Sequence, residues 1–148
     1  MLIGVISDTH GLMRPEALQA LAGSQLIVHA GDIGNPEILD TLRTIAPVVA
    51  VRGNIDAASA LPESELIEQE GKSIYILHDL NQLDLDPAAA GIHAVISGHS
   101  HKPSIRTAAG VLYLNPGSAG PRRFKLPITV ARLHVSSGEL DAERIDLI

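Results

Sequence analysis

Seven residues in this chain have side chains suited to holding a metal ion, and they recur at near-regular intervals. Asp8 and His10 lie in "SDTHG", Asp32 in "HAGD", Asn54 in "RGNID", His78 in "YILHD", and His99 and His101 in "SGHSHKP". From Asp8 the steps to Asp32, Asn54, His78 and His99 are 24, 22, 24 and 21 residues, each about one strand and its return. Two aspartates, one asparagine and four histidines, with no cysteine in the chain, make a mixed oxygen and imidazole donor set. Such a set suits Mn, Fe, Zn, Ni or Co better than Ca or Mg. Seven donors exceed what one ordinary transition-metal ion takes, but they fit two ions that share a carboxylate. A pair of ions about 3.5–4 Å apart can clamp a phosphoryl group and provide hydroxide as nucleophile at neutral pH.

These residues converge only if the intervening elements carry them to one edge. Each motif follows a short apolar run: "LIGVIS", "SQLIVHAGD", "PVVAVRGN", "KSIYILHD" and "HAVISGH". Between the first three runs lie two segments that read as helices. Pro15 stands near the start of the first and Gly23 at its end; Asn35 caps the second, with Pro36 at its first helical position. Strands alternating with short helices predict parallel βαβ units, and in such sheets ligands bind beyond the carboxyl ends of the strands. The later chain predicts antiparallel pairs turning at Gly71, at Ala109–Gly110 and near Ser137–Gly138, with a short helix in "PAAAG". The expected architecture is α/β: a two-sheet β-sandwich of mixed strands flanked by helices, as one domain over residues 1–148.

Composition narrows the function. Hydrophobic residues make up 45% of the 148, enough for a core of Leu, Ile, Val and Ala, while aromatics are limited to Phe124, Tyr75 and Tyr113. Few stacking rings and a formal charge of −6 argue against stable nucleic-acid binding. Lack of cysteine excludes disulfides and thiolate metal sites. No basic stretch precedes the first apolar run and no run nears the roughly 18–20 residues that span a bilayer, so a soluble, cytoplasmic protein with no membrane partner is expected.

The ordered set of motifs resembles the calcineurin-like metallophosphoesterase superfamily. The chain length and "LNPGS" are further similar to its small bacterial and archaeal phosphodiesterase branch. The resemblance implies the four-layer αββα fold, with Asp8, His10, Asp32 and His101 around one ion. It places Asp32, Asn54, His78 and His99 around the other, with Asp32 bridging. It implies a dinuclear metal-dependent phosphodiesterase that attacks a small phosphodiester with a metal-bound hydroxide. Two divalent ions are the expected cofactors, Mn preferred, with Ni, Fe, Zn or Co as alternatives. A non-catalytic interaction module on the same fold, as in the retromer scaffold subunit, is the rival. A phosphomonoesterase or nucleotide phosphatase is the third reading.

Other residues near the motifs carry weaker expectations. His29, just before "AGD", could support a ligand from behind, while His93 and His134 read as strand residues. Asp79 could orient a ligand or be a loop residue. In "LNPGSAGPRR", Asn115, Ser118 and Arg122 could approach substrate; Arg122, with planar donors for phosphate, is the candidate substrate-binding residue. Arg14 and Arg52 flank motifs without an assigned role. Superfamily members often have histidine after Gly-Asn, where it protonates the leaving group; here Ile55 follows Asn54. Isoleucine cannot donate a proton, and no side-chain general acid is assigned. General acid help is worth about 10²–10⁴-fold, so aryl diesters should turn over far faster than alkyl phosphomonoesters. Rates on the two substrate types check this, and equal rates would refute it.

Overall fold

The computed structural model describes residues 1–148. Twelve strands or helices carry the fold: β1 (Leu2–Ile6), α1 (Pro15–Leu21), β2 (Leu26–His29), α2 (Glu37–Arg43), β3 (Val48–Ala50), β4 (Ser64–Gln69), β5 (Lys72–Leu77), β6 (Ala94–Ile96), β7 (Ser104–Ala108), β8 (Val111–Asn115), β9 (Thr129–Val135) and β10 (Leu140–Asp146). They form two five-stranded sheets, ordered β10-β9-β1-β2-β3 and β4-β5-β6-β8-β7. This is the two-sheet sandwich of mixed strands expected from the sequence.

Each sheet is mixed. β1, β2 and β3 run parallel, with α1 and α2 as crossovers, and β9–β10 returns antiparallel on β1. In the second sheet β5, β6 and β8 run parallel, and the hairpins β4–β5 and β7–β8 supply the antiparallel pairs. Alternation along the strands divides the core into layers. Ile3 and Val5 face Ile74, Ile76 and Ile96 between the sheets. Ile6 and Ile27 face Leu21, Ile38 and Leu42 under the two helices. α2 begins where Asn35 Oδ1 accepts the Glu37 N–H at 3.0 Å.

The outer face of the second sheet is covered differently from expectation. "PAAAG" forms a single turn: the Ala90 N–H reaches the Asp86 carbonyl at 3.0 Å, and Gly91 turns left-handed with φ 75°. Helix nucleation is unfavourable and the three alanines are too few to propagate it. Leu80, Leu83 and Leu85, on the connection after β5, cover Leu77, Val95 and Val111 instead. No helix is long and apolar enough to cross a membrane.

The parallel strands of both sheets end at one edge of the sandwich. There the loops after β1, β2 and β3 meet the loops after β5 and β6, and the chemistry-bearing residues gather on that rim.

Candidate metal centre

The rim loops are built from strained backbone. Only eight non-glycine residues have positive φ, and five of them are candidate ligands: Asp8 (56°), His10 (47°), Asp32 (55°), His99 (70°) and His101 (63°). A left-handed non-glycine residue costs about 1–2 kcal/mol, so the surroundings must enforce it. Three backbone bonds zip the first two loops together: Asp8 N to Gly31 O at 2.9 Å, His10 N to Asp32 O at 2.9 Å and Gly11 N to Ile33 O at 2.8 Å.

Three central side chains are each anchored by one polar atom and present the other. Asp8 Oδ2 accepts the Ser7 hydroxyl at 2.6 Å and the His99 N–H at 3.1 Å, while Asp8 Oδ1 is buried with no hydrogen-bond partner. Asp32 Oδ1 accepts the Ile55 N–H at 3.1 Å and its Oδ2 faces the histidines. His78 donates from Nδ1 to the Ala30 carbonyl at 2.7 Å, which leaves its Nε2 with a lone pair and no partner. His10 Nε2 is likewise buried and unpartnered.

The three unpartnered atoms lie together with His101 Nε2 and Asp32 Oδ2. Asp8 Oδ1 is 3.3 Å from His101 Nε2, 3.8 Å from His10 Nε2 and 4.0 Å from His78 Nε2. Asp32 Oδ2 is 3.5 Å from His10 Nε2 and 3.3 Å from His78 Nε2. Donors held tetrahedrally at about 2.1 Å from one cation stand about 3.4 Å apart, so donors at these spacings, with Asp8 Oδ1, His10 Nε2 and His78 Nε2 buried and without hydrogen bonds, fit a metal ion. They form two overlapping groups, Asp8–His10–His101 and Asp8–Asp32–His78. Asp8 Oδ1 is common to both, and Asp32 Oδ2 stands between His10 and His78, so either carboxylate could reach two ions.

Electrostatics agree with the anchoring. Burial raises the Asp32 carboxyl, but the His78 imidazole, the Ile55 N–H and nearby His10 outweigh it and hold it at about 2. Burial likewise raises Asp8, and His101, Ser7 and His78 outweigh it and hold it below its usual range. Burial lowers His78, but Asp32, Asp8 and the Ala30 carbonyl raise it overall. A cation bound between these groups would compete with protonation of His78.

The remaining candidates lie at the margin. His99 is exposed; its ring meets His78 edge-on at 5.2 Å, and its Nε2 is 3.9 Å from Asp79 Oδ2. Asn54, also exposed, lines a cavity of about 520 Å³ together with His78 and Arg52. Asp79 caps the turn after β5 by accepting the Asn81 N–H at 3.0 Å. Arg122 lies on an exposed loop and donates to the Leu126 carbonyl at 3.1 Å. Arg14 donates to the Gly120 carbonyl at 3.2 Å, and Arg52 pairs with Glu63 at 2.8 Å.

Two supports went unassigned in the motif reading or were only suggested by it. Asp56, in "GNID", is buried and accepts three backbone N–H groups, from Ile33 and Gly53 at 3.0 Å and Gly34 at 3.2 Å. It clamps the loop after β3 to the loop after β2. His29 is fully buried and accepts the Gly31 N–H on Nδ1 at 3.1 Å. Its Nε2–H therefore donates to Thr9 Oγ at 3.0 Å, and Thr9 donates to the Ile33 carbonyl at 2.8 Å. Asn115 holds the His99–His101 loop by donating to the Gly98 carbonyl at 2.9 Å. Ser118, the other residue of that loop considered for substrate, donates to the Asp8 carbonyl at 3.0 Å.

With this geometry in hand, likeness to known proteins becomes specific. The model of the calcineurin-like phosphoesterase superfamily domain matches residues 1–138. A probable metallophosphoesterase of Methanothermobacter thermautotrophicus is 41% identical over 159 residues, covering 98% of this chain and 92% of its own. Vps29 of Entamoeba histolytica, solved in complex with zinc, superposes with a TM-score of 0.77 at 27% identity over all of both chains. A novel archaeal phosphodiesterase superposes with a TM-score of 0.79 at 20% identity, covering 98% of this chain and all of its own.

Two stability measurements probe this centre in the metal-free protein. His99 is exposed and left-handed, so His99→Gly should be more stable than His99→Ala by about 1 kcal/mol in urea unfolding. Equal stability would show that the backbone there is relaxed. Burial, opposed by the nearby carboxylates, depresses His29 from 6.5 to about 4. The unfolded chain then binds a proton that the folded chain refuses between these values. Stability should be complete above pH 6.5 and fall by up to about 3 kcal/mol as pH drops to 4, and His29→Gln should flatten that fall.

Proposed function

We propose, on the footing that this chain belongs to the calcineurin-like phosphoesterase superfamily, that it is a dinuclear metal-dependent phosphodiesterase. The observation that carries the reading is the set of buried, unpartnered atoms, Asp8 Oδ1, His10 Nε2 and His78 Nε2, in side chains that also reach Asp32 Oδ2. Asp8, His10, Asp32 and His101 would hold one ion, and Asp32, Asn54, His78 and His99 the other, with manganese the preferred metal.

Divalent cations, when bound, supply a nucleophile from water at neutral pH and positive charge opposite the phosphoryl oxygens. The chain's own groups supply order. Ser7, the His99 amide and the Ile55 amide fix the carboxylate planes, so little reorganisation is left for the reaction. The Ala30 carbonyl holds the His78 ring and its tautomer. Ile55 occupies the rim, about half exposed, where it can give no proton to a departing alkoxide. The leaving group must stabilise its own charge or take a proton from water, which favours aryl diesters over alkyl monoesters.

The test is to strip the protein of metal, restore single divalent ions, and follow bis(4-nitrophenyl) phosphate hydrolysis. Activity should return with Mn and fall roughly 100-fold or more in Asp32→Ala. No turnover with any ion would overturn the reading and favour an interaction module, which the likeness to Vps29 also supports.

A further inference from the structure

Beside His99 lies a second cavity, of about 290 Å³, which shares Asp79 with the one that Asn54 lines. Its walls include Lys102, Ser104, Arg106, Tyr113 and Asn115. The register pairs Arg106 with Tyr113 and Ser104 with Asn115, so these four side chains share one face of the β7–β8 hairpin. Arg106 lies over the Tyr113 ring, 4.4 Å from its centroid. The contact holds the guanidinium over the ring, where its fork can meet a planar acceptor pair.

The charges here are unusual for this chain. Its formal net charge is −6, yet residues 87–138 contain Lys102, Arg106, Arg122, Arg123, Lys125 and Arg132 and no aspartate or glutamate. Arg43, Arg52, Arg132 and Arg144 each sit against a carboxylate. Lys102 and Arg106 have no such partner, although both face one cavity. Its single acid, Asp79, is turned to His99 and to the Asn81 amide. The larger cavity has the opposite character: Glu63, Asp79 and Asp84 line it, and its one cation, Arg52, is already paired with Glu63.

We propose that the smaller cavity is a subsite for a second phosphate, carried on one ester arm of the substrate. The substrate class is thus a phosphodiester with an additional phosphomonoester group, whose anionic arm lies along β7–β8 and whose other arm lies toward Asn54. The inference rests on the phosphodiesterase reading. A free volume equal to about ten waters admits a phosphate together with the atoms that join it to the ester. Arg106 takes two phosphate oxygens with its fork, and Lys102 adds a point charge.

The experiment uses two probe pairs that differ by one phosphate. The first is thymidine 5′-(4-nitrophenyl phosphate) with and without a 3′-phosphate, read by kcat/KM in the Mn-loaded protein. The second is thymidine 3′,5′-bisphosphate against thymidine 5′-monophosphate, read by calorimetric Kd. The wild type should favour the extra phosphate by about tenfold in both pairs. The Lys102→Gln/Arg106→Gln protein should lose that ratio, with its melting temperature reporting that it is folded. A ratio near one in the wild type, or one that survives the double substitution, overturns the subsite. If neither ester turns over but the calorimetric ratio is present and lost on substitution, the subsite stands and the phosphodiesterase reading falls.

Discussion

The contact on which the rim depends is the approach of the two sheets' loops to within less than a side chain of one another. Gly98, after β6, lies so near Ser7 and Asp8 that a Cβ there would collide with the Ser7 hydroxyl. Gly31, after β2, would place a Cβ 2.6 Å from His78 Nδ1. Because both positions are bare, polar atoms of one sheet orient the acids of the other. The His99 amide from the second sheet fixes Asp8 of the first, and the Ala30 carbonyl of the first fixes His78 of the second. The centre is therefore a property of the packed sandwich, since Asp8 and His78 each take an anchor from the opposite sheet.

Anchoring explains why strained backbone persists. A left-handed turn directly after a strand swings the side chain over the strand end, toward the opposite sheet. Asp8, Asp32 and His99 all make this turn within three residues of their strands. The loop-to-loop bonds from Asp8, His10 and Gly11, with the Asp56 clamp, hold the geometry against relaxation. His29 works from beneath, joining the Thr9 and Gly31 segments through a neutral ring that burial keeps unprotonated.

Much of this was legible in the residues because it is periodic or stereochemical. Apolar runs ending in ligand-type residues marked the parallel strands, and Gly71, Gly110 and Gly138 marked the hairpins. The order of the motifs pointed to the five residues that cluster most tightly. Less local facts were hidden. Asp56 gave no signal in the sequence, because its three partners come from two loops. The basic block around β7–β8 was masked by an acidic total. "PAAAG" read as helix because alanine favours one, whereas its length allows a single turn. Arg122 was expected beside substrate; in the structure its guanidinium donates to the Leu126 carbonyl on an exposed loop.

None of the seven candidate ligands belongs to the apolar clusters that hold the sheets and helices together. Asp8 and Asp32 tie loops together through their anchored oxygens, but exposed His99 makes no such side-chain bond and owes its left-handed turn to no packing need. Under mutational drift, exchange of a position such as His99 for glycine would remove a donor and relieve the backbone strain there. A lineage on this architecture can thus shed its reaction in a few steps and keep its shape for another use, whereas the reverse path must rebuild strain at five positions at once.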